Sequence, residues 1–390
     1  MASLSALSNT FTAFFNSEKS AGVLLLACTA LAMALANSAW GEAYVHFWHW
    51  QLGPFSLEHW VNDGLMAVFF LMIGLELERE LYVGELSDFK NALLPICAAL
   101  GGMLVPALVH FSLNAGTDTQ SGIGIPMATD IAFALGVLAL LGKRIPASLK
   151  VFVVAFAVID DLGAIVVIAV FYTAKLSVGY LASALAVWCL LVLLNRLRVM
   201  LIAPYLLGGA AMWVFMYMSG IHATLAGVLL AFAIPFQPKN KDQASPSHRL
   251  EHALHKPVAF VVLPIFALAN TGVVLSADWL QHLSHVNSLG IVVGLLLGKP
   301  LGVMLFCWMA VVCGICSLPA DLNWRHIAGA GILGGIGFTM SIFITNLAFA
   351  QDASVINASK LAVFAASLAA GCLGYAWLRY VVKTARPMLP

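Results

Sequence analysis

Residues 152–168 read FVVAFAVIDDLGAIVVI. Two adjacent carboxylates, Asp160 and Asp161, stand in the middle of an apolar run that extends from about 147 to 173 and whose one other charge is Lys150 near its start. A helix needs roughly 20 apolar residues to cross a hydrocarbon core of ~30 Å. An ionised aspartate in the middle of such a helix costs about 2.5–3.5 kcal/mol even on the lenient insertion scale. Neighbouring residues on a helix point roughly 100° apart, so both carboxylates can flank one cavity without facing each other. They cannot both ionise cheaply at close range in a low dielectric. The pair therefore reads as a binder of a proton or a cation, and its hard oxygens suit a small alkali ion. The plainer reading is that one aspartate caps a helix break and the other is salt-bridged. It accounts less well for two adjacent buried carboxylates.

The rest of the chain agrees with a membrane setting. Of 390 residues, 62% are apolar and 9% are charged, against about 25% charged in a soluble domain. Twelve apolar segments are expected, at about 20–37, 59–77, 92–113, 121–141, 147–173, 177–195, 201–218, 221–235, 251–271, 288–313, 325–349 and 357–380, of which the eighth, Ile221 to Pro235, is short for a full crossing. An N-inside arrangement places sixteen of the nineteen Lys and Arg residues on the cytoplasmic side. That bias predicts an even span count with both termini inside. The first 18 residues contain no Lys or Arg, so no cleaved signal peptide is expected. The net charge of +1 excludes a nucleic-acid footprint. Cys313 and Cys316 form a lone C-x-x-C; apolar filling explains them better than zinc or redox chemistry, which would need a second pair.

Two polar stretches punctuate the spans. Residues 236–256 read as a cytoplasmic linker between helical groups. The outer loop 43–58, around Leu52-Gly53-Pro54, reads either as a small β-hairpin or as an interfacial aromatic segment.

Other spans also carry unexpected groups. In span four, Pro126 and its glycines predict a broken helix at Thr129-Asp130. Two half-helices have ends with opposed partial charges. Asp130 is expected to neutralise positive ends rather than to ligate an ion, and Thr129 to offer a hydroxyl. Span eleven, with Gly334, Gly335 and Gly337 before Phe338-Thr339, is a second interruption. Interrupted helices at matching positions of two halves point to a transport site. Spans three to five and ten to twelve would be inverted repeats, unless the glycines only permit close packing. Lys299, mid-span in the tenth, needs a partner, and Asp160 or Asp161 is the expected one. In span two, Glu76, Glu78, Arg79 and Glu80 form an acidic inner end, read as a funnel rim or a solvated helix end. Asp63 lies at its outer side. Glu251, His252, His255 and Lys256 begin span nine, where histidine titration near neutrality suits a pH response as well as an exposed helix start. His222 lies at an outer end.

The motifs PMATDIAFALGVLALLG (126–142), AVIDDLGAI (157–165), GIHATLAGVLL (220–230), GKPLG (298–302) and GGIGFTMSIFI (334–344) together resemble the NhaA-type sodium/proton antiporter family, in order and spacing, over about residues 60–380. The resemblance implies an all-α polytopic membrane protein with twelve transmembrane helices and an inverted-repeat core. In that core, helices four and eleven are discontinuous and crossed. It implies a core bundle at about 92–173 and 288–380, and a dimer-forming interface part at about 43–83 and 177–271. Asp160 and Asp161 match the sodium-binding carboxylates, Lys299 the lysine beside them, and Thr129 and Asp130 the broken-helix pair. His222 matches the family histidine that starts span eight. Glu76, Arg79, Glu80, Glu251 and Lys256 fall in the region linked to pH activation. One departure from a member of the family stands out: that member has a lysine between the positions of Glu76 and Arg79, where this chain has Glu78.

The expected function is secondary transport, not enzymatic catalysis. Sodium or lithium and protons compete for Asp160 and Asp161 in alternating access, with two titrating groups per sodium making the cycle electrogenic. The expected setting is a bacterial inner membrane, with membrane lipid and a second copy of the chain as partners. No cofactor is expected, and no GxxxxGK[ST] motif occurs. A sodium-coupled symporter is the principal alternative, but no larger polar substrate site is evident. A channel would not need a titratable pair with a lysine. An intramembrane aspartyl protease would want its aspartates on facing helices.

Overall fold

The computed structural model describes residues 20–172, 176–237, 244–275 and 283–384. Lys19, Lys175, Lys239, Lys241 and Arg386, the N-terminal 19 residues and the middle of the expected linker lie outside the described residues.

Almost all of the described chain is helical. Low charge and long apolar runs leave backbone polar groups no solvent partner, and helices satisfy them internally. Among the described residues, eight helices are long and apolar enough to cross a membrane, from Leu57–Tyr82 to Ala353–Lys383. The number rises to ten if two bent pairs each count as one span: Ser20–Ala36 with Gly41–Trp48, and Trp324–Gly334 with Phe338–Ala348. Twelve spans are therefore not reached on length. Expected spans seven and eight are the ones that fall short. The helix Ala203–Ser219 stops after 17 residues because Gly220 adopts a left-handed conformation at φ 83°. The following helix, Leu225–Ala231, has only seven residues. It is held from the helix Val178–Arg196 by Trp188 Nε1, which donates to Leu229 O at 2.8 Å. Just beyond it, Asn195 Nδ2 donates to Ala233 O at 3.0 Å.

In the outer loop, Gln51–Leu52 pairs antiparallel with Phe55–Ser56 across Gly53-Pro54. Trp60 Nε1 donates to Leu52 O at 2.9 Å.

The chain divides into two compact units. The first comprises residues 1–27, 88–164 and 273–390, and the second 28–87 and 165–272. Close helix contact in the first unit is set by small residues. Gly290, Gly294, Gly298 and Gly302 recur every four residues, which puts them on one helix face. A Cβ on Gly101 would lie 2.1 Å from the Gly302 carbonyl oxygen, and one on Gly298 2.9 Å from Pro106 Cα. Backbones approach this closely only where side chains are absent, the usual packing of helices in lipid. The same helix widens to a π-turn over Gly294–Gly298, where the Lys299 N–H reaches the Gly294 carbonyl. The wider turn comes directly before Pro300, which has no N–H to donate.

Candidate cation site

Two interrupted helices meet in the first unit. The 3-10 helix Gln120–Met127 gives way to extended backbone at Ala128, Thr129 and Asp130, followed by the α-helix Ile131–Leu141. Pro126 helps end the regular ladder there. The second interruption, Gly335 to Gly337, separates Trp324–Gly334 from Phe338–Ala348 with a 45° bend.

Each break supplies what the other lacks. The Asp130 N–H donates to Ile336 O at 2.6 Å. Thr129 Oγ1 donates to Gly334 O at 2.9 Å, and Ser341 Oγ to Ile125 O at 2.6 Å. The Asp130 carboxylate accepts from the Phe133 N–H at 3.0 Å, the Thr339 N–H at 3.0 Å and Thr339 Oγ1 at 2.5 Å. One buried carboxylate thus caps the N-termini of both half-helices, where orphan N–H groups and the helix dipole favour negative charge. The helix Phe338–Ala348 has no side-chain cap from its own N-cap residue, Gly337; Asp130 provides it from across the break.

Beside this joint lie Asp160, Asp161 and Lys299, all fully buried. Lys299 Nζ is 2.8 Å from Asp160 Oδ2, donates also to the Met127 carbonyl oxygen, and sits 5.7 Å from the centre of the Phe156 ring. Asp160 Oδ1 accepts no hydrogen bond of good geometry, although the Thr129 hydroxyl and N–H lie close to this carboxylate. Asp161 interacts with the Lys299 ammonium through its charge. Glycines leave room for the lysine stem: a Cβ on Gly102 would lie 3.4 Å from Lys299 Cε, and one on Gly334 3.6 Å. With both aspartates ionised and the lysine protonated, the group carries one net negative charge. Thr129, having given its hydrogen to Gly334, presents only lone pairs to anything else that approaches. The arrangement can hold a small cation on hard oxygens, or a proton in its place.

The buried pair makes a testable demand. Lys299→Met leaves Asp160 charged and unpaired in the interior, which costs about 3–5 kcal/mol where one partner alone is removed. Thermal unfolding of the purified protein is expected to show that loss. Asp160→Asn added to Lys299→Met should recover most of it. Equal melting of the single variant and the unmodified protein would refute the pairing.

The second unit gathers most of the remaining expected residues. Arg79 Nε lies 2.8 Å from Glu251 Oε1, Nη1 3.0 Å from Glu80 Oε1, and Nη2 3.8 Å from Glu76 Oε1. Glu78 is buried and accepts from Ser247 Oγ at 2.8 Å. His248 Nδ1 lies 3.6 Å from Glu251 Oε2. His252 and Lys256 are exposed and His255 is half-buried. Asp63 Oδ2 lies 3.1 Å from His59 Nε2, and the Asp63 carbonyl accepts from Trp213 Nε1 at 3.1 Å. His222 Nε2 lies 2.8 Å from the Tyr172 carbonyl and feels the Asp63 charge.

Several groups went unread in the sequence. Ser247 and His59 complete the clusters above, yet nothing in their local spacing marks them. His110 is buried, with Nε2 3.0 Å from Asn287 Oδ1, and Asn287 Nδ2 donates to Ser359 Oγ at 2.8 Å. A polar residue mid-way along an apolar run was the available signal. Among the described residues no group of three or more His, Cys, Asp or Glu side chains could hold a metal in the manner of a resident cofactor.

The family described as Na+/H+ antiporter 1 matches residues 12–378. A relative from Dechloromonas aromatica, named as the Na+/H+ antiporter NhaA, is 66% identical over 96% of each chain. One from Flavobacterium johnsoniae, Na+/H+ antiporter NhaA 1, is 56% identical over 97% of this chain and 98% of its own. The Vibrio cholerae Na+/H+ antiporter NhaA is 48% identical over 94% of this chain and 96% of its own.

Proposed function

The chain belongs to the Na+/H+ antiporter 1 family, and from that premise we propose that it is an electrogenic, pH-regulated exchanger that extrudes sodium or lithium against proton influx. The observation that carries this reading is the buried group of Asp160, Asp161 and Lys299 beside the joint of two broken helices. Sodium binds Asp161 and Asp160 with help from Thr129, and protons compete for the same oxygens. The site opens to one side at a time, so each species enters only after the other has left. Lys299 and Asp160 are held together by charge when no ion is bound. Release of that pair and protonation of a carboxylate supply two titrating groups for one sodium, and the cycle then moves net charge. The Arg79 cluster with Glu76, Glu78, Glu80 and Glu251 carries the pH response, because its carboxylates outnumber its arginine. The protein acts as a homodimer in a bacterial inner membrane, with both termini cytoplasmic.

The test is sodium-driven dequenching of a pH-sensitive dye in everted vesicles containing the protein. A sodium-dependent response, larger when the membrane potential is clamped to favour net charge movement, is the expected result. A silent, well-folded protein at every pH from mildly acid to alkaline would remove the antiporter reading and leave a sodium-coupled symporter in first place.

A further inference from the structure

Away from the carboxylates, in the same unit, a cavity of about 200 Å³ opens between two helix ends. Leu140, Leu141 and Arg144 line it from the end of the helix Ile131–Leu141 and the turn that follows. Tyr375, Arg379 and Val382 line it from the last helix, Ala353–Thr384. Arg379 stacks over the Tyr375 ring at 5.9 Å and lies 3.5 Å from its hydroxyl. Neither arginine meets a carboxylate within ion-pair distance among the described residues.

The sequence around the cavity is one-sided in charge. No Asp or Glu occurs from Ile131 to Ile159, nor anywhere after Asp352, while Lys143, Arg144, Lys150, Arg379 and Lys383 fall in those stretches. Arginines at helix C-termini complement the dipole, but that role needs neither a cavity nor the exclusion of acids. The surroundings are those of a membrane boundary. Tyr380 and Trp377 are exposed, Trp377 donates to the Arg325 carbonyl at 2.8 Å, and Leu140 and Leu373 present apolar surface. Amphipathic aromatics of this kind sit at headgroup level.

We propose that this cavity binds the phosphate of an anionic phospholipid, held by the Arg144 and Arg379 guanidiniums with the acyl chains against Leu140 and the aromatic side chains. Two guanidinium forks suit phosphate oxygens, and basic pockets between helices near the membrane surface are sites of this chemistry. The lipid bridges the half-helix capped by Asp130 to the last helix. The inference rests on the chain spanning a membrane, not on which ions it exchanges.

The test is native mass spectrometry of the full chain in mild detergent with added phosphatidylglycerol, phosphatidylcholine or inorganic phosphate. Unmodified protein is expected to retain phosphatidylglycerol and to release phosphatidylcholine. Arg144→Gln with Arg379→Gln should weaken phosphatidylglycerol retention roughly tenfold or more. Arg249→Gln, in another basic stretch, should not. Equal retention by the double variant and the unmodified protein would overturn the proposal. So would displacement of the lipid by inorganic phosphate at comparable concentration, which would make a soluble anion the occupant. If the double variant does not fold, a photo-crosslinking residue at Leu140 in otherwise unmodified protein decides instead: a phosphatidylglycerol adduct supports the site, and its absence refutes it.

Discussion

Asp161→Asn is expected to reduce sodium-driven proton movement in everted vesicles to the level of vesicles lacking the protein. Asparagine keeps the shape of the side chain and removes only its charge. With Asp161 neutral, the buried group of Asp160 and Lys299 carries no net charge, and nothing remains to offset the dehydration of a sodium ion. The variant should still fold, because the hydrogen bond from Lys299 to Asp160 is kept. Asp160→Asn should differ in kind. It removes the hydrogen-bonded partner of a fully buried ammonium, so it should lower the melting temperature as well as transport. It also leaves Asp161 as the nearest counter-charge for Lys299, which then competes with sodium for that carboxylate. If Asp161→Asn retained sodium-dependent dequenching at an unchanged half-saturating concentration, the sodium site would have to lie elsewhere. If both variants melted alike, the unequal sharing of Lys299 would be wrong.

The sequence carried the membrane class, both interruptions and the identity of the buried charges, because each violates a strong rule. A carboxylate in an apolar run, a proline in a helix and three glycines in four residues are costly unless they do something. Lys299 was expected to pair with Asp160 or Asp161, and the structure selects Asp160. The two aspartates are neighbours on one helix, so spacing alone does not choose between them; the hydrogen bond from Lys299 Nζ to Asp160 does. The face formed by Gly290, Gly294, Gly298 and Gly302 was present in the sequence and went unread; only the facing helix, through Gly101 and Pro106, gives it meaning. Glu251 was read with the histidines and lysine that follow it, yet its partners are Arg79 and His248. Sequence adjacency groups residues that a helix then turns to different sides, and Glu251 shares a face with His248 at i−3. Hydropathy places span seven within two residues of the helix Ala203–Ser219 at each end, whereas the apolar run 221–235 contains a helix of only seven residues, Leu225–Ala231: an apolar run bounds where a helix can lie, not how much of it is helical.

Asp130→Ala is expected to destabilise the protein by about 3–5 kcal/mol, since it strands buried donors at two helix N-termini and each costs about 1–3 kcal/mol when left without a partner. Loss of an N-cap alone typically costs about 1 kcal/mol; the larger figure follows because one side chain serves the Phe133 N–H, the Thr339 N–H and Thr339 Oγ1 together. Both half-helices have only eleven residues, so an uncapped first turn is a large fraction of each. Asp130→Asn should fall between Asp130→Ala and the unmodified protein. Its amide oxygen can still accept from Phe133, while its NH2 group faces the Thr339 N–H, donor against donor. Thr339→Val should cost less than either, because it removes one donor and leaves Asp130 its two backbone partners. Thermal unfolding of the purified variants checks the order. The unmodified protein should melt highest, followed by Thr339→Val, then Asp130→Asn, with Asp130→Ala lowest. An alanine variant that melts within about 1 kcal/mol of the unmodified protein would mean that the two breaks are held by their backbone contacts, Asp130 N–H to Ile336 O foremost, and that the carboxylate is present for the ion instead.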